Sequence, residues 1–432
     1  MSSSLVQLII LLLALTIVVE TGFIVARRPS FAAVLILGIE AFNAAGLAVN
    51  VSIGGINLYE TDAVCIALGI AIILRWLRSS SGLQASAIWL IFLGFTVLGI
   101  VRGGATFGFQ PAVNDMRENI YLFVTAAYFA SFRPRVELIG QVLSRWVWTA
   151  VVLCGLAAVY WFQYGFGRYA DAGERALIST TSLIVAQAAV ILLFVRRNST
   201  AAAYILPIAF SVVVVLTQQR TVWLSTVATI IVLVLTRAGG SAKGKTARRR
   251  ARVVAISGIA VIALLIVAGP TDITNSLNTA TNEVTAQNST IQWRFNRWGQ
   301  ILDYQLKGPA LNVVVGTPVG QSSSSAESIR LASFHNFYLQ MFTYFGVLGL
   351  LLFLGVFAWL LLGLVRAKRF HAPEAEFAGL LLALLTGQLV FMGAYSLQMF
   401  QGILLGLASS LVVSAHAGFS SQHVGPVEVN SR

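Results

Sequence analysis

Charge is what this sequence has least of. Only 10% of its 432 residues are charged, whereas 57% are hydrophobic, and the mean hydropathy is +0.81. A soluble domain carries about 25% charged residues. A chain this apolar has too little polar surface for water to solvate, so lipid is its expected solvent. Cysteine is equally scarce. Cys65 and Cys154 each sit inside an apolar run, which excludes both a surface disulfide framework and a cysteine-based zinc site. Four histidines are scattered along the chain, and no His/Cys/carboxylate cluster has the spacing of a catalytic metal site. No phosphate loop or dinucleotide glycine pattern is present.

What charge there is has one dominant sign. The formal net charge of +13 comes from 29 Lys and Arg against 16 Asp and Glu. In a soluble protein that excess points to nucleic acid. Between membrane spans it is read as loop charge that orients the helices, so no nucleic-acid partner is expected. A span needs about 20 apolar residues. Candidates are 5–26, 31–50, 62–77, 86–101, 119–132, 145–163, 178–195, 201–218, 221–236, 253–269, 336–365, 377–395 and 397–417. The expected fold is therefore all-α, a polytopic membrane protein of 12–13 transmembrane helices. The lower count applies if the first two or the last two candidates form a re-entrant or broken pair. The run Leu5–Ala26 lacks a basic start and a small-residue cleavage site, and reads as a retained helix rather than a signal peptide.

One set of loops holds 19 of the 29 positive residues, from Arg27 and Arg28 through Arg75, Arg133 and Arg196 to the basic run 237–252 and Arg366. By the positive-inside rule that set is cytoplasmic, and the run 237–252 is an anchor for anionic headgroups. The loops at 51–61, 102–118, 164–177, 218–221 and 270–335 then face outward from a cytoplasmic (inner) membrane. Three regions follow: N-terminal helices over 1–269, a large extracytoplasmic loop over 270–335, and C-terminal helices with a short cytoplasmic tail over 336–432. Apolar residues at 291, 295, 298, 301, 302 and 305/306 follow a helical period, which predicts an amphipathic helix in the large loop, ended by Lys307-Gly308-Pro309.

Polar residues near the bilayer are costly and each calls for a reason. On the outward side Arg220 stands in a hinge between two apolar runs. Arg294 and Arg297 are three apart, on one helical face. His335 is the outward-facing histidine, since His371, His416 and His423 map to cytoplasmic segments. Each has an ordinary explanation: a snorkelling arginine, a Trp/Arg interface anchor, a packed histidine. Together they form a set that suits phosphate binding by arginine forks and proton acceptance by imidazole. The chemistry suggested is transfer from an outward-facing lipid phosphate donor.

The run His335-Asn336-Phe337-Tyr338-Leu339-Gln340, followed by Tyr344-Phe345-Gly346-Val347-Leu348-Gly349-Leu350, resembles the signature of the O-antigen ligase and polymerase family. Gln219-Arg220-Thr221 is similar to the family's arginine at a helix start. Trp293-Arg294 through Gly308-Pro309 and Gly316 is similar to its loop pattern, and the likeness spans about 210–365. The resemblance implies an inverting, metal-independent membrane glycosyltransferase without cofactor. Its partners would be a polyprenyl (undecaprenyl or similar) diphosphate-linked glycan donor, a glycan or glycolipid acceptor and membrane lipids. It implies that Arg220 and Arg294 hold the diphosphate and that His335 orients or deprotonates the acceptor hydroxyl. Arg297 and Arg117 are further candidates for the diphosphate. A ligase and a polysaccharide polymerase would share this donor chemistry, and a lipid-linked sugar transporter or flippase is the rival from another class.

Overall fold

The computed structural model describes residues 3–53, 56–78, 83–165, 176–195, 202–237, 290–320, 334–369 and 375–423. Within them the chain is an all-α polytopic membrane protein. Helices α1 (Ser3–Arg27), α2 (Pro29–Ala44), α3 (Glu60–Arg78), α4 (Leu83–Phe107) and α5 (Phe109–Ala130) come first. Then follow α6 (Val136–Tyr164), α7 (Ser179–Val195), α8 (Ala202–Leu216) and α9 (Arg220–Arg237). Two helices, α10 (Thr290–Lys307) and α11 (Ala310–Val315), precede α12 (Phe337–Ala367), α13 (Ala375–Met392) and α14 (Gln401–His423). Three of these, α4, α6 and α12, carry apolar stretches of 24 residues or more, long enough to cross a bilayer outright, whereas α2, α7, α8, α9 and α13 are shorter apolar helices. The candidate span 253–269, most of the basic run 237–252 and the loop stretches 270–289 and 321–333 lie outside the described residues.

Between helices in lipid, small residues set how closely backbones pack. Gly402 and Gly406, four apart on α14, lie against the carbonyls of Leu122 and Ala126 on α5, and a Cβ at either would run into that backbone. Hydroxyls tie the helices where apolar packing gives no direction. Ser225 Oγ donates to the Gly387 carbonyl at 2.7 Å, joining α9 to α13, and Trp89 Nε1 donates to Ser409 Oγ at 2.9 Å, joining α4 to α14. At one end of the bundle Arg75 donates to Ser131 Oγ at 3.0 Å and to the carbonyls of Ser131 at 2.9 Å and Ala26 at 3.3 Å. Its guanidinium also covers the Phe132 ring at 3.5 Å. That arginine gathers the connections after α1, α3 and α5 at one end.

The opposite end differs from the sequence expectation in two places. The span at 31–50 stops as a helix at Ala44 and gives way to an antiparallel hairpin, Asn50–Ile53 paired with Ile56–Tyr59. The stretch 102–118, expected as a loop, is helix on both sides of Gly108. Its charged residues Asp115, Arg117 and Glu118 broke the hydropathy run without breaking the helix, because they have partners. Asp115 Oδ2 accepts from the Gly320 amide at 2.7 Å, and Arg102 on α4 donates to the carbonyls of Val315 and Gly316, both at 3.1 Å. These contacts dock the segment 310–320 onto α4 and α5.

The same segment leans on a kink in α12. Gly346 has φ 66°, a left-handed conformation inside a helix, and a Cβ there would collide with the Val314 carbonyl. Gly316 has φ 85° and would collide with Tyr344, while the Thr317 amide donates to the Thr343 carbonyl at 2.8 Å. Left-handed backbone costs a non-glycine residue about 1–3 kcal/mol before any clash is counted. Gly346→Ala is therefore expected to lower the thermal unfolding midpoint clearly. Gly355→Ala, where an added Cβ meets nothing within 4 Å, should leave it unchanged or raise it. Equal midpoints for the two variants would contradict this account.

Candidate functional site

Four chain segments meet at the end of the bundle opposite Arg75. The first is the break between α8 and α9. Thr217 and Gln218 end the α8 turn, Gln218 takes φ 56°, and Arg220 opens α9 half-buried. Buried Gln219 is fixed by α7: Ser179 Oγ donates to its Oε1 at 2.8 Å, and its Nε2 donates to the Leu177 carbonyl at 3.4 Å. An arginine in the first turn of a helix opposes the helix dipole, and an anion bound there would offset the cost.

The second segment is α10, which forms where the apolar period predicted a helix but sorts its faces differently. Trp298, Ile301 and Gln305 turn toward the bundle, with Ile301 and Gln305 buried, whereas Phe295, Leu302 and Leu306 are exposed. The periodic apolar positions from 295 to 306 thus belong to two stripes, one packed on protein and one open to the surroundings. Arg294 lies on the packed stripe, one turn before Trp298. Its Nε is buried with no hydrogen-bond partner among the described residues, and its Nη2 donates to Tyr395 Oη at a long 3.5 Å. Arg297 sits one turn further along and is half-buried.

The third segment holds His335. Trp298 Nε1 donates to the Phe334 carbonyl at 2.8 Å, and Asn336 Oδ1 caps α12 by accepting from the Leu339 amide at 3.0 Å. Between those two anchors His335 is held at φ 43°. Gln218 and His335 are the non-glycine residues with positive φ among the described residues, and both belong to this site. Strain of that kind persists only where the surroundings over-determine it. The fourth segment, the turn between α13 and α14, brings Tyr395. The Arg294 guanidinium lies 5.1 Å from the centre of its ring, and the His335 ring meets it edge-on at 6.3 Å. Half-exposed Trp293 meets His335 from another direction at 5.9 Å.

Arg294 and His335, far apart in the chain, therefore share Tyr395, and Tyr395 Oη lies 3.5 Å from Oε1 of Gln219, the neighbour of Arg220. Arg117 is placed otherwise. It pairs with Asp62 at 3.4 Å, donates to the Asn57 carbonyl at 2.9 Å and lies 4.8 Å from the centre of the Tyr59 ring. Those contacts tie α5 to the hairpin and the start of α3. Among the described residues no group of three or more His, Cys, Asp or Glu could hold a metal ion. Positive charge at this site comes from arginine.

Residues 202–354 match the family model described as O-antigen ligase. Over that stretch the chain is similar to O-antigen ligases. The match covers about a third of its length and runs from α8 to the middle of α12. It includes Arg220, Arg294, Arg297 and His335, and leaves Arg117 and Tyr395 outside. Comparison of the whole chain with curated proteins finds no match. A domain of that kind supports glycan transfer in polysaccharide assembly, with a lipid-linked glycan donor and a glycan acceptor.

Burial, and secondarily the Arg294 guanidinium, hold the His335 imidazolium below the usual histidine pKa. The neutral ring is the form that accepts a proton, and both causes disfavour the charged form. The ring thus stays neutral at pH values where an ordinary histidine, near 6.5, is half protonated. The acid limb of kcat/KM against pH, which reports the free enzyme, is expected below pH 6.5. A limb above that value would contradict His335 as the titrating base.

Proposed function

We propose that this O-antigen ligase-like chain transfers a glycan from a polyprenyl diphosphate-linked donor to a sugar hydroxyl on the outer face of the cytoplasmic membrane. The observation that carries the reading is the meeting of Arg294 and His335 on Tyr395, beside the Gln219–Arg220 break. Arg220 and Arg294, with Arg297 next to them, would bind the diphosphate. His335 would take the acceptor proton as the acceptor oxygen attacks C1 of the donor sugar. The bond from C1 to the diphosphate oxygen breaks, and the diphosphate leaves with the electron pair. A single displacement of this kind inverts the configuration at C1. The leaving group already stores the energy, so positioning and charge stabilisation are what remains for the protein to supply.

The test is reconstitution of the full chain in nanodiscs with undecaprenyl diphosphate-linked oligosaccharide, with and without a second glycolipid acceptor. A glycan joined to the second acceptor, inverted at C1 and formed in the presence of EDTA, is the expected product. Lengthening of the donor glycan without a second acceptor would make the chain a polymerase. Arg220→Ala and His335→Ala should each remove the product. Full activity in both variants, or net movement of the lipid-linked donor across the bilayer without transfer, would overturn the reading.

A further inference from the structure

Tyr395 lies in a connection of irregular turns, between the end of α13 at Met392 and the start of α14 at Gln401. Its backbone is fixed, for its amide donates to the Phe391 carbonyl at 3.1 Å, and its ring stacks on Phe391 at 5.0 Å with 22° between the planes. On its other sides the ring carries the Arg294 guanidinium and the edge of His335. Its hydroxyl can serve two neighbours at once. The O–H donates to Gln219 Oε1 and the oxygen accepts from Arg294 Nη2, both at 3.5 Å. Gln219 follows the left-handed Gln218, and His335 is itself left-handed, so one side chain touches both strained turns.

We infer that Tyr395 is a positioning residue that holds the Arg294 fork and the His335 ring in one arrangement with the Gln219–Arg220 break. The inference rests on the diphosphate reading above. The ring and the hydroxyl have separate tasks. The stacked ring restricts the guanidinium to one plane and the imidazole to one edge contact. The hydroxyl fixes the rotation of the guanidinium within that plane and leaves the buried Nε of Arg294 to an incoming anion. A tyrosine that merely filled space would need the ring alone.

That difference separates the two roles. The full chain in nanodiscs is titrated with undecaprenyl diphosphate as wild type, Tyr395→Phe, Arg294→Ala and the double variant. Phenylalanine keeps the stacking on Phe391 and the contact with His335 but loses the hydroxyl. Tyr395→Phe is expected to weaken binding about 3–10-fold, the span of one net hydrogen bond, with an unchanged melting profile. In the Arg294→Ala background the same substitution should cost clearly less, because only the bond to Gln219 is then left to lose. Wild-type binding by Tyr395→Phe, with Arg294→Ala impaired, would overturn the role of Tyr395 and leave the diphosphate reading standing. An equal loss in both backgrounds would also overturn it, since Tyr395 would then act independently of Arg294. If Arg294→Ala binds undecaprenyl diphosphate as the wild type does, the diphosphate reading falls and Tyr395 falls with it.

Discussion

His335→Ala is expected to lower kcat for glycan transfer by about 10²–10⁴-fold, the usual contribution of a positioned general base. A sugar hydroxyl is a weak nucleophile at neutral pH, and its proton must leave as the bond to C1 forms. A base that acts only at that moment changes the transition state and not the ground state. The donor KM should therefore stay within a few-fold of wild type while kcat collapses. The substitution should cost little stability. The ring is half-buried, and its ring contacts are edge-on ones to Trp293 and Tyr395. The strained backbone is held by its neighbours, through the Trp298 bond to Phe334 and the Asn336 cap. Alanine at φ 43° pays a backbone cost only a little above that of histidine, which tolerates positive φ better than most residues. A melting profile like that of the wild type, together with the lost kcat, is the signature. Retention of more than a tenth of wild-type kcat would remove His335 from the chemistry.

How much of this was legible in the sequence depends on the length scale of each signal. A run of apolar residues is a local property, and nearly every described span coincides with a helix. Helix ends were read less well because hydropathy registers charge and not hydrogen bonding. At 109–118 the helix continues through Asp115, Arg117 and Glu118 because each carboxylate or guanidinium finds a partner at this end of the bundle. At 45–50 the apolar run continues, but the chain turns at Gly46, with φ 70°, and pairs as a hairpin. The two glycines at 316 and 346 could be noted as part of a pattern. Their common reason is the contact between segment 310–320 and the α12 kink, which a linear reading does not contain.

The site shows the same division. Arg220, Arg294 and His335 stood out because polar residues beside apolar runs are conspicuous. Arg117 stood out for the same reason and turns out to be engaged by Asp62 and the hairpin. Tyr395 gave no such signal. It sits between two apolar runs where tyrosine is an ordinary interface residue, and only the return of the chain after α13 brings it against Arg294 and His335. A faint cue existed in the short polar interval around Ser396, whose hydroxyl lies 2.9 Å from Gln340 Oε1.

Arg294→Ala carries the other large expectation, a fall of about 10²–10³-fold in kcat/KM, comparable to the loss of one preorganised donor to developing charge. In the proposed reaction negative charge would grow on the departing diphosphate as the C1 bond breaks, and a guanidinium already in place would need no reorganisation to meet it. The structure indicates why the loss should appear in activity more than in stability. The Arg294 Nε has no partner among the described residues, and its bond to Tyr395 is long, so removal of the side chain leaves few contacts unmade. A buried donor without a partner carries a cost that an anion would relieve. Arg294→Lys separates charge from geometry. Lysine restores the positive charge but cannot present two parallel N–H groups or lie flat on the Tyr395 ring. It should recover less than a tenth of the lost kcat/KM, whereas charge alone would restore most of it. Removing the guanidinium also lifts one of the two causes that depress the His335 pKa, so the residual acid limb in Arg294→Ala should move to higher pH. A variant with normal kcat/KM and an unshifted limb would detach Arg294 from both the donor and the base.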